Sequence, residues 1–128
     1  MTPESVRISK FETFEAWKRG IEFANEVFEL ANGLPQRYQF SLGEQLRRAA
    51  LSIPTNLAEG SGRDNPKEKR YFYRIAKGSV YEVVSLLVMA GKRGALSREK
   101  YRELYQEADE IAAMISGAVA SSMASNRD

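Results

Sequence analysis

Apolar residues recur along the chain at alternating steps of three and four, the period at which one face of an α-helix turns towards a core. After Thr13, whose hydroxyl suits a helix cap, Phe14, Trp17, Ile21, Ala24, Phe28 and Ala31 form such a seam. Gly33 is expected to end this helix in a left-handed conformation, and Pro35 blocks continuation. The pattern predicts a first helix over about 14–32. A second, over about 42–60, presents Leu42, Leu46, Ala49, Ala50, Ile53 and Leu57 on one face. Ser41 and Glu44 read as a capping box at its start. Pro54 lies inside it and is expected to bend it; a break at Ser52–Ile53 into two shorter helices is the alternative.

Gly60-Ser61-Gly62 closes the second helix, and Asn65-Pro66-Lys67-Glu68 opens a third over about 66–92, again as a capping box with Pro at the first helical position. Ser97 is placed to cap a fourth over about 98–122, with Tyr101, Leu104, Ala108, Ile111, Ile115, Ala118 and Ser122 as its seam. The ends, 1–10 and 123–128, are expected to be flexible. Short connections between helices of similar length make neighbours antiparallel. The expected fold is therefore all-α: one domain over 1–128, an antiparallel up-down-up-down four-helix bundle.

Two helices carry more apolar surface than one seam requires. In the first, Phe23, Val27, Leu30 and Leu34 form a second stripe beside the seam, and in the third the run Val80–Ala90 is apolar nearly all round. A wide core stripe is the plain reading. The other is a second burial surface, on which Phe23, Val27, Leu30, Tyr81, Val84 and Val88 cover a neighbouring copy in a homo-oligomer.

Composition narrows the chemistry. The chain has no Cys and no His, which removes thiolate metal sites, disulfides, the commonest metal ligand and the commonest general base. No metal site and no cofactor motif is expected. Residues 1–10 hold no apolar leader run and no stretch approaches the roughly 20 apolar residues that span a bilayer, so a cytoplasmic protein without membrane contact is expected. Charge is unevenly spread. Residues 46–93 carry 10 Lys/Arg against 4 Asp/Glu, whereas the segments on either side are each net acidic.

A polar stripe, Gln45, Arg48, Ser52, Asn56 and Glu59, runs along one face of the second helix, and Ser79 and Glu82 should face it from the third. It reads as a partly buried network that fixes helix register, with Arg48 opposite Glu82; a ligand-binding constellation is the alternative. Gln45-Leu46-Arg47-Arg48-Ala49-Ala50, Ser52-Ile53-Pro54 followed by Asn56-Leu57-Ala58-Glu59-Gly60, and Ile75-Ala76 with Gly78-Ser79 and Glu82 resemble the bacterial 23S rRNA intervening-sequence protein family, also described simply as four helix bundle proteins. The resemblance covers roughly residues 11–120. One departure is Ser41, where the family commonly has Gly. The resemblance implies an up-down bundle assembled as a ring-like homopentamer; it does not imply an enzyme. The family name reflects genes found within rRNA intervening sequences. A distantly similar group, the accessory proteins of diversity-generating retroelements, uses basic surfaces to bind nucleic acid and a reverse transcriptase.

The basic middle segment offers a candidate nucleic-acid surface: Arg47, Arg63, Lys67, Arg70, Arg74 and Lys77, with Tyr71 and Tyr73 interleaved to stack on unpaired bases. A solvated helix face is the plain alternative. Gly60-Ser61-Gly62-Arg63 lacks the phosphate-loop pattern and any preceding strand, so it reads as a helix end and turn. Ser52 and Ser79 have no evident base beside them. The expected function is a non-catalytic, homo-oligomeric binding or scaffold module for RNA or a nucleic-acid-associated protein. The opposing expectation is a protein-binding adaptor that uses its apolar first and third helices.

Overall fold

The computed structural model describes residues 14–125. Four helices, α1 (Glu15–Asn32), α2 (Glu44–Ser61), α3 (Pro66–Lys92) and α4 (Arg98–Ser125), form the fold, and no strand occurs among the described residues. Asn32 on α1 accepts from Arg47 on α2, while Gly20 packs against Ile53 and Leu57 further along α2. On the next pair Ser52 meets Ser79 and Gly60 meets Tyr73. Arg70, early on α3, donates to the carbonyl of Ser122, late on α4. Each pairing runs in opposite senses, so consecutive helices are antiparallel. The bundle is the expected one.

Caps explain most of the helix ends. Asn65 Oδ1 accepts from the N–H groups of Lys67 (2.8 Å) and Glu68 (3.3 Å), with Pro66 at the first helical position. Ser97 Oγ accepts from Lys100 N–H at 3.1 Å. The α3–α4 turn is made by Gly94, whose φ of 73° lies where a side chain would be strained. Gly33, expected to be left-handed, has φ −88° and ends α1 without it. Thr13 lies outside the described residues, and Phe14 stands at the cap position without a capping side chain.

The start of α2 departs from expectation. Ser41 does not cap it, because the chain is already helical there: a 3₁₀ turn (Gln36–Tyr38) runs into a π-helical turn (Gln39–Gly43) and then into α2. Ser41 Oγ instead donates to the Tyr38 carbonyl at 3.4 Å. Gln39 secures the join, its Nε2 donating to the carbonyls of Ala31 and Leu34, each at 2.9 Å. The longer step of the π turn carries the chain into α2 without an interruption to cap. Pro54 lies within α2, which continues past it to Ser61, so the two-helix alternative is not realised.

The core rotates α1 relative to the expected seam. Ala16, Gly20, Phe23, Ala24, Val27 and Ala31 are its buried residues. Phe23 and Val27 are fully buried in the subunit, so they cannot cover a neighbouring copy, and Leu30 is half-buried against the same core. Ile21, expected inside, is 43% exposed, and Phe14, Trp17 and Phe28 are half-buried. Gly20 and Ala16 are the reason. Small residues on that face let α1 approach α2 closely enough for Phe23 and Val27 to enter the core. The seams of α2 and α4 are as expected, with Leu46, Ile53, Leu57, Leu104, Ile111 and Ile115 all fully buried.

Candidate functional site

α3 is the helix with most surface chemistry. Its core face carries Tyr73, Ala76, Ser79, Val80, Val83, Leu87 and Ala90, which leaves Lys67, Arg70, Arg74 and Lys77 along the outer side, at spacings of three and four. Lys67 and Arg74 are exposed, and neither joins an ion pair among the described residues. Arg70 is half-buried and donates to Ser122 O at 3.5 Å; the Lys77 ammonium lies 5.8 Å from the centre of the Tyr81 ring. Lys67, Glu68, Tyr71, Arg74 and Ile75 line one shallow depression of about 580 Å³, so one carboxylate shares it with the two cations. Tyr71 is 61% exposed and edge-on to Phe72, with ring centres 5.1 Å apart.

Three members of the expected basic surface stand apart from this ridge. Arg47 is turned towards α1, donating to Asn32 Oδ1 (3.0 Å) and to Gln39 Oε1 (3.3 Å), so it braces the α1–α2 connection. Arg63 pairs with Glu59, lies 3.9 Å from Glu68 and sits over the Phe72 ring at 4.8 Å, on the α2 side. Tyr73 is buried, its ring 5.5 Å from that of Phe14, and cannot stack on a base. Burial holds its phenol above the ordinary pKa.

The polar stripe divides in two. Its inner part is a hydrogen-bonded network: Ser52 Oγ and Ser79 Oγ are 2.7 Å apart, and Asn56 Nδ2 donates to Ser52 Oγ (3.0 Å) and to the Ser52 carbonyl (2.9 Å). Its outer part is not paired as expected. Arg48, Gln45 and Glu82 are exposed, and among the described residues Arg48 and Glu82 form no ion pair. Glu59 pairs with Arg63, four residues on. Arg48 projects outwards because Leu46, Ala49, Ala50 and Ile53 already occupy the inner face of α2. Gln45, Arg48 and Glu82 border a cleft of about 450 Å³ with Phe40, Glu44, Ser52 and Ser79. Phe40 is 83% exposed and Glu44 stands beside it, two residues that the periodic pattern did not single out. In the sequence Glu44 reads only as half of a capping box, and Phe40 as part of the connection.

Apolar surface remains between α3 and α4. Tyr81 (58% exposed), half-buried Val84 and Tyr105 (49% exposed) line a groove of about 270 Å³. Val88, 41% exposed, borders the adjoining depression with Tyr101. Tyr101 and Tyr105 stack obliquely, with ring centres 5.8 Å apart. Of the residues expected to meet a copy, Tyr81, Val84 and Val88 thus lie on one face.

At the far end of the bundle Arg93 Nε donates to Tyr38 Oη at 3.2 Å and the Arg37 guanidinium lies 4.8 Å from the ring centre. Hydrogen bonding from Arg37 and then Arg93 holds the Tyr38 phenol below its ordinary pKa. Among the described residues no cluster of three or more Asp or Glu is arranged to hold a metal ion, and no helix is long and apolar enough to cross a membrane. A family model described as 23S rRNA-intervening sequence protein matches residues 12–117. Among curated proteins no match is found.

Proposed function

Since the chain belongs to the 23S rRNA-intervening sequence protein family, we propose that it is a non-catalytic, self-associating bundle of the cytoplasm that holds single-stranded RNA on the outer face of α3. One observation carries the reading. Lys67 and Arg74 are exposed on one helix face without acidic partners, and an exposed tyrosine, Tyr71, lies between them. Cations in this setting neutralise phosphates, and an exposed aromatic ring offers a stacking platform indifferent to sequence. Arg70 and Lys77 extend the positive strip along the same helix.

Self-association is supported by the α3–α4 groove. Tyr81, Val84, Val88 and Tyr105 leave apolar surface at the edge of one subunit, where a second copy would remove it from water. Repetition of the basic strip around an assembly would raise its effective affinity for a strand long enough to reach two copies. The family resemblance suggests five copies. Light scattering should then give about five times the 14.4 kDa chain mass; a value of one chain would remove self-association from the proposal.

RNA binding is tested with a labelled single strand at two salt concentrations. Affinity should fall steeply as salt rises, by about 0.7 in logarithmic slope for each phosphate neutralised. The double substitution Lys67→Ala/Arg74→Ala should flatten that slope. No binding at low salt, or binding indifferent to salt, would favour the opposing reading of a protein-binding adaptor that uses the apolar α3–α4 face.

A further inference from the structure

We propose that the cleft between α2 and α3 is a nucleotide site, taking a planar ring with hydrogen-bond donors joined to a phosphate. This does not rest on the basic strip of α3, which uses other residues. The volume, about 450 Å³, lies within the range of small-ligand sites. Its lining is unlike that of the α3–α4 groove, because charged and hydroxyl side chains dominate it.

The cleft gathers unspent polar groups of both signs. Arg48, Glu44 and Glu82 border it, and none of their side chains has an ion-pair or hydrogen-bond partner among the described residues. At the floor Asn56 donates to Ser52 Oγ, occupying a lone pair there. The Ser52 proton can then go to Ser79, 2.7 Å away, which frees the Ser79 hydroxyl proton for an acceptor. At the mouth Phe40 is 83% exposed and contributes almost nothing to the core.

Each feature selects a part of the ligand. A guanidinium presents a fork of donors that fits phosphate oxygens. An exposed phenyl ring stacks on any planar base. Two carboxylates beside a single cation oppose any phosphate whose ligand does not also engage them, which makes a bare inorganic anion a poor fit. They suit a ligand that also brings donors, such as exocyclic amines or ribose hydroxyls. A mononucleotide supplies phosphate, planar ring and donors together.

The test is calorimetric titration of the full chain with AMP, GMP, CMP and UMP, with inorganic phosphate and ribose 5-phosphate as controls. At least one mononucleotide should bind saturably, and both controls far more weakly. Arg48→Ala and Phe40→Ala should each weaken binding by about tenfold. Both side chains are exposed, so folding should be unchanged by circular dichroism; Arg48→Lys, which keeps charge but loses the fork, should fall between. Competition by a trinucleotide distinguishes a nucleotide within a strand from a free one. The Lys67→Ala/Arg74→Ala variant should keep mononucleotide binding, so failure of the RNA surface and failure of this site are read separately. Absence of binding at millimolar nucleotide, or binding indifferent to both Arg48→Ala and Phe40→Ala, overturns the site. So does a change of assembly mass in Arg48→Ala without any nucleotide bound, which would make the cleft a contact between copies.

Discussion

The Tyr73 ring occupies the space that a side chain on Gly60 would need: a β-carbon there would lie 2.8 Å from Cδ1 and Cε1 of Tyr73 and 3.1 Å from the Lys69 carbonyl oxygen. This close approach lets α2 end against the start of α3, where Lys69 Nζ also donates to the carbonyls of Gly60 (3.3 Å) and Ser61 (3.1 Å). Gly60→Ala should therefore destabilise the protein by about 1–3 kcal/mol, the usual cost of overpacking. Gly62→Ala, where the nearest atoms are carbonyl oxygens at 3.7 Å, is the control and should change little. Equal melting temperatures for the two variants would show that Tyr73 yields easily.

The outward course of Arg48 leads to a second expectation. A buried, paired arginine would cost roughly 3–5 kcal/mol to truncate. An exposed arginine without a partner should cost no more than about 0.5 kcal/mol. Chemical denaturation of Arg48→Ala beside the unsubstituted chain decides it, and a large loss would mean that the side chain is covered in the assembled protein.

The helices were legible in the sequence because their signals are local. Asn65-Pro66 and Ser97 act on backbone groups two or three residues away, whatever the rest of the chain does. The rotation of α1 was not legible. Both of its stripes are apolar, and the choice between them depends on how closely α2 approaches Gly20, a tertiary fact. Ser41-Leu42-Gly43-Glu44 misled for a related reason: a capping box works only where the preceding chain is extended, and here Gln39 ties that chain into helical turns. Among candidate site residues, spacing put Lys67, Arg70, Arg74 and Lys77 along one side of α3, where the structure also has them. It could not show that Arg47 and Tyr73 are engaged elsewhere, because their partners come from other segments, whereas the Glu59–Arg63 pair, four residues apart, was within reach of spacing alone.

Gly78 offers a gain instead of a loss. It lies in the middle of α3, exposed, and a β-carbon on it would meet nothing within 4 Å. Glycine within a helix is about 0.5–1 kcal/mol less favourable than alanine, so Gly78→Ala should stabilise the subunit by about that amount. Thermal unfolding at low concentration measures this. A lowered melting temperature would show that another chain packs on this part of α3 in the working protein.

Acid should loosen the tie between α1 and α4. Arg19 donates to Glu110 and lies 3.5 Å from Glu107, and the hydrogen bond from Arg19 holds the Glu110 carboxyl below its ordinary value of 4.5. A carboxylate with a depressed native pKa adds stability that is present above its unfolded value and lost as pH falls through the native one, because the unfolded chain then takes up the proton more readily. The contribution should thus be constant near neutrality and fade only below about pH 4.5. Glu110→Gln removes the titrating group while keeping the shape. Its melting temperature should lie slightly below that of the unsubstituted chain at pH 7, and the gap should close as both are taken into acid. The gap will be modest, since these side chains are partly solvated and exposed ion pairs contribute little. A gap that persists unchanged at pH 3 would show that Glu110 acts through packing and not through its charge.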